Sequence, residues 1–309
     1  MTFPGLTNRQ TRVHVWGHTD LGRNRSENQD TFLVSELRAE EDGIGFFLGP
    51  DSHPPGKGAD PGFALGPGGA LLVVADGMGG PAGGGRASRL ALTALTGFME
   101  RAWVNDRMKT PRDFVHVMVQ AVEEANREVH QESRQDAAYA GMGTTLTLAG
   151  ILDGTLYLAQ IGDSRGYLFR QGRLVQLTRD QSMVQELLDA GAITEAEARV
   201  SPQRNVILQA LGTESRVEPA LTFQELRRGD LILLCSDGLS GLVTSETMEA
   251  VLASPGTLQT RCATLVEAAN AAGGPDNITV VLAQVDGEGI PNPSEGAPVT
   301  RQPLRLDPL

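Results

Sequence analysis

Cysteine and positive charge are both scarce in this chain of 309 residues, which has two Cys and 26 Lys and Arg against 38 Asp and Glu. Cys235 lies in an apolar run and Cys262 in a helical pattern, a spacing that excludes a disulfide framework or a cysteine zinc site, so both are expected as packed thiols. A net charge of −12 removes the basic patches that a nucleic-acid groove or an anionic lipid surface requires, and neither nucleic acid nor membrane is expected as a partner. No apolar run reaches the length of a membrane helix. The opening MTFPGLTNRQTRV carries no apolar signal-peptide core, which makes a cytoplasmic protein the expectation. What is present, 40% apolar residues over this length, is enough for a sizeable globular core.

Periodicity then divides the chain. RVHVWGHTD alternates about Val13, Val15 and Gly17 as a first strand, and its other face carries His14 and His18, too few for a metal site without a third ligand. The stretch from Ser35 to Gly69 is rich in Gly and Pro without sustained periodicity and reads as an inserted surface loop. Residues 71–75, LLVVA, form a short continuous apolar run expected as a strand covered on both faces. Ala87, Leu90, Ala91, Ala94 and Phe98 recur at helical spacing. So do Phe114, Val117, Ala121, Ala125 and Val129, behind a start signal of Thr110, Pro111 and Asp113. From Gly143 the pattern changes to strands joined by turns at Asp153-Gly154 and Gln171-Gly172, an antiparallel meander. A short helix pair over about 180–204 reads as a flap. The strand LILLC, a helix from about Leu258 to Ala272 and a closing strand in DNITVVLAQV follow. Residues 286–309 read as a disordered tail on a domain of 1–285. The sum is an α+β fold, a four-layer α-β-β-α sandwich of two packed, mainly antiparallel sheets with helices outside.

An acid recurs where these strands meet glycine or asparagine: Asp76 in VVADGMGG, Asp163 in AQIGDSRGYL, Asp237 in LLCSDGLSG and Asp276 in GGPDNITVVL, with Asp30 closing GRNRSENQD. Any one of them is an ordinary turn residue. Five together point to a site. Gathered carboxylates raise one another's pKa unless a cation neutralises them, and oxygen-only ligands suit Mg2+ or Mn2+ rather than zinc. Gly77, lacking a side chain, can lend its main-chain carbonyl as a further ligand.

The blocks RSENQD, VVADGMGG, GMGTTL, IGDSRG, LLCSDGL and GGPDNITVVL, in this order between about Val13 and Val285, resemble the metal-dependent serine/threonine protein phosphatases of the protein phosphatase 2C type, most closely the bacterial branch. The resemblance implies hydrolysis of phosphoserine and phosphothreonine in proteins by direct attack of a metal-bridging hydroxide, reversing a serine/threonine kinase. It implies two Mn2+ or Mg2+ ions and a third, weaker one. Asp76 is similar to the carboxylate that bridges the two ions, with the Gly77 carbonyl on one of them and Asp237 and Asp276 on the other. Asp30 matches the acid that holds metal-bound water, Asp163 with Asp237 the pair that binds the third ion, and Arg25 the arginine that holds substrate phosphate. The partners implied are phosphorylated proteins, serine/threonine kinases and their substrates, met by a monomer.

Two positions depart from the pattern. Gln29 stands where many relatives have Glu, which softens the second metal site. Met78 stands where animal enzymes have a histidine general acid, so the proton for the leaving alkoxide comes from elsewhere. Two other readings use the same acids: a catalytically weak phosphoprotein-binding scaffold, expected to have lost metal ligands, and a small-molecule phosphohydrolase, which would differ in the flap.

Overall fold

The computed structural model describes residues 11–38, 44–50, 60–104, 110–293 and 298–306. In chain order the strands and helices are β1 (Thr11–Asp20), β2 (Asp30–Leu37), β3 (Ile44–Leu48), β4 (Gly62–Ala64), β5 (Ala70–Met78), α1 (Gly80–Met99), α2 (Pro111–Gln135), β6 (Gly143–Thr144), β7 (Leu146–Leu152), β8 (Thr155–Ile161), β9 (Arg165–Arg170), β10 (Arg173–Gln176), α3 (Met183–Asp189), α4 (Glu195–Val200), β11 (Ala220–Glu225), β12 (Leu231–Cys235), α5 (Asp237–Ser240), α6 (Ser245–Ala253), α7 (Leu258–Ala271), β13 (Ile278–Gly287) and β14 (Gln302–Pro303).

The strands form a six-stranded sheet, β10-β9-β12-β13-β1-β4, and an eight-stranded one, β14-β11-β8-β7-β5-β2-β3 with β6 paired to the end of β5. The pairings are antiparallel. Alternation along each strand then builds three cores. Leu71, Val73 and Ala75 of β5 pack under α1 and α2, while Leu72 and Val74 face the other sheet. In β12, Ile232 and Leu234 join that central layer, and Leu231 and Leu233 turn outward beneath α6 and α7. Three apolar layers between four layers of secondary structure make the α-β-β-α sandwich, because strands buried on both faces carry apolar side chains at every position.

Local chemistry sets the boundaries. Thr110 and Asp113 cap α2 reciprocally, with the Thr110 amide donating to Asp113 Oδ2 at 2.8 Å and the Asp113 amide to Thr110 Oγ1 at 3.3 Å. The expected stripe of Phe114, Val117, Ala121, Ala125 and Val129 is buried. The strands expected as one meander form two hairpins in different sheets, β7-β8 in the eight-stranded and β9-β10 in the six-stranded one, because the chain crosses between sheets after β8. Both hairpin turns have positive φ at two successive residues, 47° and 73° at Asp153 and Gly154 and 51° and 80° at Gln171 and Gly172, the backbone that joins right-twisted strands most tightly. Cys235 and Cys262 are free and buried, and burial pushes the Cys235 thiol up to about 12. Among the described residues, no helix is long and apolar enough to cross a membrane.

Two further stretches differ from the sequence expectation. Within 35–69, read as a surface loop, Ser35 to Leu37 complete β2, β3 extends the eight-stranded sheet beyond β2, and β4 pairs with β1 at the edge of the other sheet. Strands of five and three residues are too short to show a period. Residues 39–43 and 51–59 of this stretch lie outside the described residues, as do 1–10. The tail is anchored rather than free: Ile290 is buried, β14 pairs with β11, and the Leu304 amide donates to the Leu221 carbonyl at 2.9 Å. An open strand edge recruits polar chain through its main-chain groups alone, which leaves no mark in side-chain composition. Residues 294–297 and 307–309 of the tail lie outside the described residues.

Candidate metal centre

The five aspartates come from one end of both sheets. Asp30 opens β2 and stands directly opposite Asp76 near the end of β5. Asp163 lies in the turn between β8 and β9, Asp237 just beyond β12, and Asp276 just before β13. In an antiparallel sheet the start of one strand neighbours the end of the next, so acids scattered over about 250 residues reach one place. Asp76, Asp237 and Asp276 are partly exposed, while Asp30 and Asp163 are buried beneath them.

Burial and mutual repulsion dominate the electrostatics. Asp76 is held well above the usual carboxylate range by burial, and then by the charges of Asp30, Asp237, Asp163 and Asp276. Burial likewise raises Asp30 to about 7 and Asp163 to about 8, with the charge of Asp237 adding to both. Asp237 is raised by burial and by Asp276. One oxygen on each of Asp30, Asp163 and Asp237 is buried without a hydrogen-bond partner, in each case Oδ1.

Among the described residues no three His, Cys, Asp or Glu side chains stand as a closed cage for a metal ion. The acids nevertheless act on one another's charge, and three of their oxygens are buried without a partner, features that a bound cation would satisfy. The donor set is hard oxygen throughout, which fits Mn2+ or Mg2+.

Neighbouring groups hold these acids in place. Ser236 Oγ donates to Asp30 Oδ2 at 2.7 Å and accepts from the Thr279 amide at 3.0 Å, which leaves Asp30 Oδ1 for another partner. Arg165 grips Asp180 through Nε and Nη2, with Nη2 at 2.7 Å from Oδ2, so this cation is engaged beside Asp163 and leaves its Oδ1 unpaired. Gly77 has no room for a side chain: a Cβ there would lie 2.1 Å from the Gly84 carbonyl oxygen and 2.8 Å from that of Gln29. It is the N-terminal part of α1, at Gly84, that packs against the main chain here.

Arg25 projects from the loop between β1 and β2 and places Nη2 2.7 Å from Asp276 Oδ2. Asn277 holds that loop at both ends, donating to the carbonyls of Leu21 and Glu27 and accepting from the Gln29 amide at 2.8 Å. The Gln29 side chain donates to the Gly80 carbonyl at 2.8 Å, a bond that a carboxylate there would not make. Ser236 and Asn277 were not among the residues singled out from the sequence. Each is adjacent to a singled-out acid, in SD and DN, and that adjacency was the available signal.

Comparison with known proteins identifies the family. Residues 61–261 match the sequence model of the protein phosphatase 2C family. The serine/threonine protein phosphatase PstP of Mycobacterium tuberculosis is 44% identical over 218 residues, which is 71% of this chain and 41% of that protein. Protein phosphatase PhpP of Streptococcus pneumoniae is 40% identical over 218 residues, 71% of this chain and 87% of the relative. Among solved structures, the catalytic domain of PstP in complex with two manganese ions superposes with a TM-score of 0.68 at 35% identity, covering 89% of this chain and 99% of that one. The chain thus spans about two fifths of the length of the M. tuberculosis relative. It belongs to the protein phosphatase 2C family, in the bacterial branch.

Proposed function

We propose that this chain removes phosphate from phosphoserine and phosphothreonine in proteins, using Mn2+ or Mg2+, and so opposes serine/threonine kinases. The observation that carries the reading is the convergence of five aspartates, three with an orphaned buried oxygen, beside an arginine. Asp76, the Gly77 carbonyl, Asp237 and Asp276 would hold two ions, and Asp163 with Asp237 a third. Bound cations of this kind polarise phosphoryl oxygens and bring the pKa of water near neutrality.

The remaining work falls to the chain's own groups. Arg25, half-exposed at the mouth of the site, can turn its free guanidinium edge to two phosphate oxygens, a contact whose geometry suits transfer chemistry that depends mostly on positioning. Asp30, fixed through Oδ2 by Ser236, keeps Oδ1 to accept a hydrogen bond from water aligned on phosphorus. The acidic surface is no obstacle, since bound cations dominate the local field. A non-catalytic scaffold would be expected to lack some of these acids, and all are in place.

The test is turnover of a phosphothreonine peptide with added Mn2+, with chelator, and with Asp76→Asn and Asp237→Asn. Activity should require the cation and nearly vanish in both variants, which should still fold because each removes a repelling charge. Full activity in chelator, or in Asp76→Asn, would overturn the reading.

A further inference from the structure

The blocks GMGTTL and IGDSRG contribute hydroxyls that the reaction does not use. The Asp76 amide donates to Thr145 Oγ1 at 3.1 Å, and the Asp76 carbonyl accepts from the Thr145 amide and from Thr144 Oγ1, both at 2.8 Å. Thr145 Oγ1 is in turn 2.8 Å from Ser164 Oγ, in the turn that carries Asp163. The Ser164 carbonyl accepts from Thr147 Oγ1 and from Gln160 Nε2, and Gln160 Nε2 also reaches the Gly162 carbonyl at 3.0 Å. Thr144, Thr145, Thr147, Gln160 and Ser164 are all fully buried. Gly162 presses against the same side chain, since a Cβ there, at φ +90°, would lie 2.7 Å from Thr145 Cγ2.

A continuous buried network therefore joins the main chain of Asp76 to the turn of Asp163. Packing alone does not account for its chemistry, because Thr145→Val would fill nearly the same space and a buried hydroxyl is costly unless bonded. What the hydroxyls add is a fixed distance between two main-chain segments. A ligand set needs its supporting residues to hold it within about 0.5 Å of working geometry.

We infer that Thr145 and Ser164 are positioning residues that lock the strand end carrying Asp76 to the turn carrying Asp163, so that cation binding at the first acid prepares the second. This rests on the metal-centre reading above. Thr145 touches the main chain of Asp76, and Ser164 connects that contact to the second acid. Loss of either hydroxyl breaks the same link.

The experiment measures Mn2+ binding by calorimetry, phosphopeptide kinetics and metal-free melting for the wild type, Thr145→Val, Thr145→Ser, Ser164→Ala and the Thr145→Val/Ser164→Ala double variant. Thr145→Val and Ser164→Ala each leave a buried partner without its hydrogen bond and should melt a few degrees below the wild type without metal while staying folded. They should nevertheless bind the weakest ion about 10-fold less tightly or worse, the range seen when support behind a metal ligand is removed. Their kcat should fall while KM, which depends on Arg25, changes little. Thr145→Ser should restore both quantities, and the double variant should lose no more than Thr145→Val alone. If Thr145→Val does not fold, Ser164→Ala carries the same test. Wild-type Mn2+ affinity and kcat in Ser164→Ala, or a defect that Thr145→Ser fails to repair, would overturn the inference and leave the functional reading intact. Wild-type protein that takes up no Mn2+ would overturn both.

Discussion

Arg25 and Asp276, 251 residues apart in sequence, form an ion pair of 2.7 Å in which the arginine side chain is 51% exposed. The bond to Asp276 raises the pKa of Arg25, but a pair this open to solvent adds little to stability. Its use lies in aim. Under the proposed function the carboxylate would fix one edge of the guanidinium and leave the other for arriving phosphate. Arg25→Ala should raise KM for a phosphopeptide about tenfold, as befits a charge-assisted contact, with a smaller loss in kcat and an unchanged melting temperature. An unaltered KM would put the guanidinium outside the substrate site.

The crowded acids give the metal-free protein an unusual pH response. Asp30 and Asp163 lose their protons near 3.8 in the unfolded chain and, because of burial first and neighbouring charge second, at about 7 and about 8 in the folded one. Between those values the native state binds more protons than the unfolded state, so stability is greatest below the unfolded value and declines as pH rises through the folded values. Melting in chelator should accordingly occur at higher temperature at about pH 5 than at about pH 8. Added Mn2+ should raise the melting temperature more at the higher pH, where the ligands give up their protons readily. A chelated protein that grows more stable over this range would contradict the repulsion.

At the other end of β12 from Asp237, Arg170 and Asp230 make a pair of 2.6 Å with 3% and 1% side-chain exposure, and Arg170 also donates to the Glu225 carbonyl at 2.8 Å. Asp230→Ala leaves a buried cation without its partner and should cost about 3–5 kcal/mol in urea denaturation. Breaking the exposed pair Arg127–Glu124 should leave the urea midpoint unchanged, since solvent screens it. Comparable losses from the two would show that burial does not set the penalty here.

The 35–69 stretch supplies more than two edge strands. Asp60 accepts from the amides of Leu258 and Gln259, at 2.8 and 3.2 Å, and so closes the start of α7. Asp60→Ala should cost about 1 kcal/mol. Replacing residues 39–69 with a short Gly/Ser linker should cost more and promote association, since it uncovers β2 on one sheet and β1 on the other. A replaced protein that is monomeric and as stable as the wild type in urea would return this segment to the status of a dispensable loop.

Asp30, Asp76, Asp163, Asp237 and Asp276 were legible one at a time because each interrupts an apolar strand at its end, where a charged residue has no packing role. The three cores followed from runs such as LLVVA, whose length fits a strand buried on both faces. Ser236, Thr145, Ser164 and Asn277 were not legible as supports. Their contacts cross up to 256 residues and depend on register between strands, which no local period records. The pairing of β3, β4 and β14 was hidden for a related reason: edge strands recruit main-chain groups and tolerate almost any side chain. Arg25 was legible as a cation near the site, but its bond to Asp276 depends on the pairing of β1 with β13, which brings the end of one beside the start of the other.

Asp30 and Asp76 belong to the eight-stranded sheet, Asp237 and Asp276 flank strands of the six-stranded one, and Asp163 lies where the chain crosses from the first to the second. Neither sheet alone owns a complete ligand set. A cation that needs acids from both sheets would bind only once they are stacked. If stacking follows the barrier that sets the folding rate, added Mn2+ would leave the refolding rate nearly unchanged and slow the escape of the native state instead, whereas faster refolding in Mn2+ would put stacking at or before that barrier.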